Sequence, residues 1–414
     1  MGTGTFVKDH NYKMSGRREK TSARSRGFDI PLLLVVVALL VLGLVMLYSA
    51  SWDFSLGAYG DPMKMFDRQL IWMALGLVGT AFLAHFDYHR WRKLVILAMA
   101  FTVILLIGLL LLSEIRFNAK RSFIEGSVQP SELAKLISII YLAVWLFSKR
   151  EHLKEVQLGL IPLGMILGIV GGLIYLQPDL SAAGTVLILG GLLFFLAGGD
   201  MKQIIFLMIV AILGGWMVVR VSPTGAERVG DFLNGIKDPT QASYHVRRSF
   251  EAIVNGGIFG TGIGRGETKL LGLPVPPTDS IFAVIAEELG LVGSVMLIGL
   301  YAALVWRGMV IARRAPDMLG TLMASGMALW IGLEALINMA VMVGLMPFAG
   351  NALPFISAGG SNLVVSLAAI GILLNVSRQS GVTVGEGNDW RSFGAVVDLR
   401  WRNRRRRVSR ARRP

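Results

Sequence analysis

Cysteine is absent from the 414 residues. No disulfide framework, thiolate metal site or cysteine nucleophile is available. Charge is scarce too: 16% of residues are Asp, Glu, Lys or Arg, against about 25% in soluble proteins. Acids are the scarcer sign, 27 against 41 Lys and Arg, which leaves a net charge of +14. The five histidines (His10, His85, His89, His152, His245) are scattered, and no metal-ligand cluster is visible. No Gly-x-Ser-x-Gly elbow or phosphate loop occurs. What is present is apolar: 54% hydrophobic residues and a mean hydropathy of +0.60. A soluble chain of this composition would expose large patches and aggregate. Disulfide-rich secreted proteins, disordered proteins and ordinary soluble enzymes are excluded. An all-α integral membrane protein with basic flanks is left.

A spanning helix needs about 20 mostly apolar residues. Ten runs qualify, near 30–50, 69–86, 94–113, 131–148, 158–176, 182–199, 203–221, 280–306, 318–345 and 360–376. The 49 glycines suit close helix contacts in lipid. With the N-terminal side taken as inside, 28 Lys and Arg fall on the inner side and 11 on the outer. This asymmetry predicts ten spans with both termini cytoplasmic. The first run follows 29 residues and is too long for a signal-peptide core, so it is expected to stay as an anchor. The expected units are a basic N-tail (1–29), a membrane domain (30–376) with a large outer loop (222–279), and an Arg-rich, disordered C-tail (377–414). That tail reads as a contact for anionic lipid head groups rather than for nucleic acid.

Charges in apolar segments cost roughly 2.5–3.5 kcal/mol each on insertion scales, which makes them functional suspects. Here they gather at the outer ends of the runs. Gln129-Pro130-Ser131-Glu132 opens the fourth run, with proline where a first helical turn tolerates it. Glu132 and Lys135 are three residues apart and share a helix face. They read either as a structural ion pair or as a polar wall facing a cavity. Lys120 and Arg121 precede them in an outer loop, where a guanidinium can grip phosphate bidentately. Gln177-Pro178-Asp179 repeats the Gln-Pro-acid pattern, weak evidence by itself. Arg228 and a glycine-rich run, Gly256–Gly264, lie in the long outer loop. No strand precedes that run, which argues against a dinucleotide site. Thr278-Asp279 sits at the mouth of the eighth run, where Asp279 reads equally as a helix N-cap or as a general base in a cleft. Glu287 and Glu288 lie two turns deeper, and at least one should face a partner or water. Ser357 and Ser361, in the last outer loop, suit capping or ligand contact.

Four of these strings, taken in order, resemble the SEDS family (shape, elongation, division and sporulation), whose branches include FtsW, RodA and SpoVE. They are Gln129-Pro130-Ser131-Glu132 to Lys135, Gln177-Pro178-Asp179-Leu180, Thr278-Asp279 through Glu287-Glu288-Leu289-Gly290, and Leu353-Pro354-Phe355-Ile356-Ser357 to Gly359-Gly360-Ser361. The resemblance covers about residues 30–376. It is slightly closer to the FtsW branch, through Gly262-Ile263-Gly264 to Lys269 and Thr278-Asp279-Ser280, although Tyr244-His245 is more like RodA. The sequence departs from the family pattern at Ser122, Arg248, Val275, Pro277, Ser280 and Ala358.

The resemblance implies a ten-helix SEDS fold and a peptidoglycan glycosyltransferase of the bacterial cytoplasmic membrane. Such an enzyme polymerises lipid II at the outer face during division or elongation. It implies Asp279 as the catalytic carboxylate and Arg121 and Lys135 as pyrophosphate-binding residues, joined by Glu132, Arg228 and Lys120. Gln129, Gln177, Asp179, Thr278, Glu287, Glu288, Ser357 and Ser361 are expected to line the cavity. A divalent cation, Mg or Mn, is compatible with the chemistry, though no dedicated site is visible. A class B penicillin-binding protein and other divisome or elongasome membrane proteins are the implied partners. Two other functions compete: a flippase for the lipid-linked precursor, and a non-catalytic scaffold. Polar motifs confined to the outer mouth disfavour transport, and the intact Asp279 disfavours a scaffold.

Overall fold

The computed structural model describes residues 27–112, 129–177 and 179–380. They form helices and turns, with no strand among the described residues. Each of the ten apolar runs is helical: α1 (Ile30–Tyr59), α2 (Lys64–His85), α3 (Trp91–Leu112), α4 (Pro130–Ser148), α5 (Ile161–Tyr175), α6 (Leu180–Leu196), α7 (Met201–Val221), α10 (Ile281–Arg314), α11 (Met318–Met342) and α12 (Gly360–Gln379). Two further helices, α8 (Pro223–Lys237) and α9 (Tyr244–Gly256), fold within the long loop, where none was expected. Seven helical segments are long and apolar enough to cross a membrane, and Leu180–Leu196 and Met201–Met217 are shorter apolar helices. The chain is therefore a multi-pass membrane protein.

Local chemistry marks the ends. Asp29 caps α1 by accepting from the Leu32 amide at 3.0 Å, and Asp317 caps α11 by accepting from Gly320 at 2.7 Å. Helix α1 runs nine residues past its expected end and stops at Gly60, which adopts φ 72. Helix α10 likewise continues to Arg314, two residues short of Pro316. At its far end, Arg307 grips Asp29 with contacts of 2.5 and 3.2 Å. Beside it, His89 bridges Asp87 (2.8 Å) and Asp317 (2.9 Å), tying the α2–α3 turn to the α10–α11 turn.

Helices α4, α11 and α12 form the most buried part of the bundle. Helix α12 lies close on α2. A methyl group at Gly371 would sit 2.8 Å from the Thr80 carbonyl, so only glycine permits the approach. Thr80 Oγ1 completes the contact by donating to Leu367 O at 2.8 Å.

Helix α10 is broken. Gly290 has φ 67 and ψ −164, far from helical values. A break at membrane depth survives only if other groups satisfy the freed backbone. The turn after α9 does so. Leu291 and Val292 amides donate to the carbonyls of Gly257 and Ile258 at 3.0 and 3.1 Å. Thr261 and Gly262 amides donate back to Glu287 and Glu288 carbonyls, both at 3.0 Å. The segment before the break, Ile281–Glu288, is wholly enclosed, whereas Leu291, Val292 and Val295 face outward. The glycine-rich run thus serves this close backbone docking. Gly290→Ala introduces a Cβ 2.3 Å from the Gly260 nitrogen and a left-handed backbone that costs about 1–3 kcal/mol by itself. Its thermal midpoint in detergent should fall by several degrees, and an unchanged midpoint would refute the tight docking.

Candidate active site

The two Gln-Pro-acid elements meet. Asp179 caps α6, with Oδ1 accepting from the Ala182 amide at 3.2 Å and from Ser181 Oγ at 3.1 Å. Its Oδ2 accepts from Gln129 Nε2 at 2.9 Å and Ser131 Oγ at 3.0 Å. Ser361 Oγ accepts from the Gln129 amide at 2.8 Å, which joins the start of α12 to the same point. Gln177, expected on a cavity wall, is instead wholly buried and donates to Leu106 O at 3.0 Å. There it ties the end of α5 to α3.

Below this rim lies a buried ionic group. Lys135 Nζ is 2.9 Å from Glu132 Oε2 and is also ion-paired with Glu334 of α11. Asn362 Nδ2 of α12 donates to Glu132 at 3.1 Å and, more weakly, to Glu334 at 3.5 Å. The Trp330 ring centre stands 5.6 Å from the ammonium. Lys135 is 2% exposed and Glu334 1%. The pair expected from i, i+3 spacing is therefore part of a larger group, and its ammonium is enclosed rather than open to a ligand in this conformation. Glu334 escaped the sequence reading, although a lone acid in an apolar run was a usable signal.

One turn along α11, about 6 Å from Glu334, Asn338 holds the segment that carries Asp279. Its Nδ2 donates to Asp279 O at 2.9 Å and to Asn351 O at 2.5 Å. Ser357 Oγ donates to Thr278 O at 2.6 Å and accepts from the Leu353 amide at 2.8 Å. The Ala358 amide donates to Pro277 O at 2.7 Å. Ser357 therefore fastens two loops together, and neither it nor Ser361 caps α12, whose cap position is Gly359. Thr278 is partly exposed, and its own hydroxyl donates to Val275 O at 3.3 Å. Asp279 is half-buried and does not occupy the cap position of α10, which is Ser280.

Glu287 and Glu288 do not line an open cavity; both are 1% exposed and hold the loop before Asp279. Glu287 Oε1 accepts from the amides of Glu267 and Thr268, both at 3.1 Å, and from Thr268 Oγ1 at 2.8 Å. Glu288 binds Lys269 Nζ at 2.7 Å, Ser49 Oγ of α1 at 2.6 Å and the Gly264 amide at 2.9 Å. The partner such acids need is the chain itself, because a loop from distant sequence folds back onto them.

Arg228, on α8, reaches the same neighbourhood. Its guanidinium is 5.6 Å from the Phe348 ring centre, and His245 of α9 stacks on that ring at 4.1 Å. Burial, with the positive Arg228 nearby, pushes the His245 imidazole below its ordinary value, so it stays neutral at neutral pH. Phe348 adjoins Asp279: a methyl group at Gly350 would lie 3.9 Å from Phe348 Cε1 and 3.3 Å from Asp279 Oδ2. Lys120 and Arg121 lie outside the described residues. Among the described residues no three His, Asp or Glu groups converge as metal ligands would.

Lys135→Met would leave two buried carboxylates without their cation, an expected loss of about 3–5 kcal/mol. Adding Glu334→Gln should recover part of that loss. Unfolding of the single and double variants in mild detergent tests the coupling, and additive effects would show that the two charges do not interact.

Comparison with known proteins bears on this arrangement. The chain matches the FtsW/RodA/SpoVE family, described as "Cell cycle protein", over residues 30–381. It is 37% identical to the probable peptidoglycan glycosyltransferase FtsW of Geobacter sp. (strain M18), over 86% of this chain and 98% of the relative. It is 36% identical to stage V sporulation protein E of Bacillus subtilis (strain 168), over 85% and 97%. Among solved structures, it resembles a chain from work on how a peptidoglycan synthase complex coordinates polymerization and crosslinking (TM-score 0.70, 30% identity, 85% of this chain and 98% of that one). It also resembles the rod shape determining protein RodA of Thermus thermophilus (TM-score 0.62, 28% identity, 85% and 97%). The chain belongs to the FtsW/RodA/SpoVE family, the SEDS family of cell cycle proteins, and lies close to its FtsW branch.

Proposed function

We infer that the chain is a peptidoglycan glycosyltransferase that polymerises lipid II at the outer face of the bacterial cytoplasmic membrane during cell division. The observation that carries this reading is the presentation of Asp279. Its backbone is held by Asn338 and its neighbour Thr278 by Ser357, while Asp279 itself stays half-buried next to Gly350. The names of the relatives support the same chemistry.

In the reaction, Asp279 accepts the proton of the acceptor sugar 4-hydroxyl. The oxygen bonds to the donor anomeric carbon with inversion as the bond to undecaprenyl pyrophosphate breaks. The leaving group takes the bonding pair. Arg121, Lys120 and Arg228 offset its negative charge, which builds up as the bond breaks. Lys135 joins them once its ammonium, held by Glu132 and Glu334, is shared with the pyrophosphate. A divalent cation, Mg or Mn, would supply further neutralisation of the pyrophosphate charge. Ten crossings with both termini cytoplasmic follow the Lys and Arg asymmetry. A class B penicillin-binding protein supplies crosslinking, a pairing supported by the likeness to a chain of a peptidoglycan synthase complex. Other divisome membrane proteins fit the same assembly, and the Arg-rich C-tail contacts anionic lipids.

Asp279→Asn keeps the backbone carbonyl that Asn338 holds, so the variant should fold and insert. Loss of a general base typically lowers rate by about 10²–10⁴-fold. Polymerisation of lipid II by the purified protein with its partner should fall at least that far. Near-normal glycan synthesis by this variant would overturn the assignment. Lipid II crossing vesicles that hold the protein alone would favour the flippase.

A further inference from the structure

The turn that joins α9 to α10 carries an apolar surface that the chain itself leaves uncovered. Phe259 is 82% exposed, the most exposed aromatic side chain among the described residues, and Ile258 is 61% exposed. Val254, in the last turn of α9, is 77% exposed. Neighbouring apolar side chains exposed together mark a contact surface, whereas scattered ones do not. The outward face of α9 is also graded. Arg247, Glu251 and Val254 share one stripe at helical spacing, and Ile258 and Phe259 follow it. The stripe is charged where α9 begins and apolar where it ends. The opposite stripe, Val246, Ser249, Ala252 and Gly256, is buried.

The height of this turn over the membrane follows from its contacts. Helix α1 starts at Ile30, beside the Asp29–Arg307 pair and the exposed Trp306. Ser49 lies about 28 Å further along the axis, close to the roughly 30 Å of a hydrocarbon core. Exposed Tyr48 and Trp52 flank Ser49, with ring centres 5.6 Å apart, as aromatics do at a membrane–water interface. Ser49 Oγ bonds Glu288, which sets Glu288 at the outer interface. The Ile258 carbonyl accepts from the Val292 amide at 3.1 Å, one turn or about 6 Å deeper than Glu288. Leu291, Val292 and Val295 face outward there, so the turn continues the lipid-facing surface of α10. Arg265 is exposed and follows Gly264, whose amide donates to Glu288 at 2.9 Å, so it stands at the height of the headgroups.

We propose that the α9–α10 turn is a membrane anchor. Val254, Ile258 and Phe259 enter the acyl region of the outer leaflet, and Arg265 stays among the headgroups. Apolar residues hold interfacial segments at depths of about 5–10 Å, and one turn below Glu288 falls within that range. The lipid grips from outside the same segment that Glu287 and Glu288 hold from inside. The loop leading to Thr278 and Asp279 thereby keeps one height over the bilayer. This contact belongs to the fold and stands whichever reaction Asp279 serves.

The natural absence of cysteine makes single-site labelling direct. Ile258→Cys and Phe259→Cys each receive a nitroxide in the full-length protein, reconstituted in vesicles of phosphatidylethanolamine and phosphatidylglycerol. Val295→Cys is the lipid-facing reference and Arg247→Cys the aqueous one. Relaxation by oxygen, which concentrates in lipid, is compared with relaxation by a water-soluble nickel chelate. The oxygen-to-chelate ratio at both turn positions should lie within about twofold of that at Val295 and well above that at Arg247. Ratios equal to that at Arg247 would overturn the proposal. So would loss of oxygen contact on addition of the crosslinking partner, which assigns the turn to a protein interface. A second measurement uses the unaltered chain. A phospholipid with a photoactivated diazirine in its acyl chain should label residues 254–259, and labelling of α10 without any adduct there would also overturn the anchor.

Discussion

The ammonium of Lys135 holds the centre of this protein together. Two carboxylates reach it from different helices, Glu132 on its own helix α4 and Glu334 on α11, and Asn362 adds a bond from α12. In a low-dielectric interior none of these charges is tolerable alone, and removing one partner is far worse than never having had the group. The three helices must therefore keep one relative position. Helix α11 then transmits that position, since Asn338, one turn from Glu334, grips the backbone of Asp279. The carboxylate expected to do the chemistry is set by a helix whose own place is set by a buried ion group.

A second constraint acts on the outer half. Helix α10 breaks at Gly290, and the hydrocarbon phase offers nothing to replace the lost backbone bonds. The turn after α9 satisfies them, and Glu287 and Glu288 fasten the segment that follows through Thr268 and Lys269. The loop leading to Thr278-Asp279 is thereby anchored at several points before it reaches the site. Glu287 and Glu288, acids near the mouth of the site, serve here to build the frame around Asp279.

Much of this was legible from the residues in order. Hydropathy located all ten apolar helices, because twenty apolar residues in lipid have few alternatives to a helix. The i, i+3 spacing of Glu132 and Lys135 put them on one face, and they do pair. Other assignments failed for a common reason. Glu287, Glu288, Gln177 and Ser357 were read as facing a cavity, whereas each meets a group from distant sequence: Thr268, Ser49, Leu106 or Thr278. Nothing in local spacing reports such a partner. Helices α8 and α9 are amphipathic pieces inside the long outer loop, and no apolar run of spanning length marks them.

Composition alone established a multi-pass helical membrane protein with basic flanks, and four short motifs in order established its family. Both follow from rules that act along the chain: an apolar run must satisfy its own backbone, and a motif is a string. Which charges meet was decided by how helices far apart in sequence pack. Ion pairing is a matter of a few ångströms in space, and the distance from residue 135 to residue 334, or from 279 to 338, is written nowhere in the order of the residues.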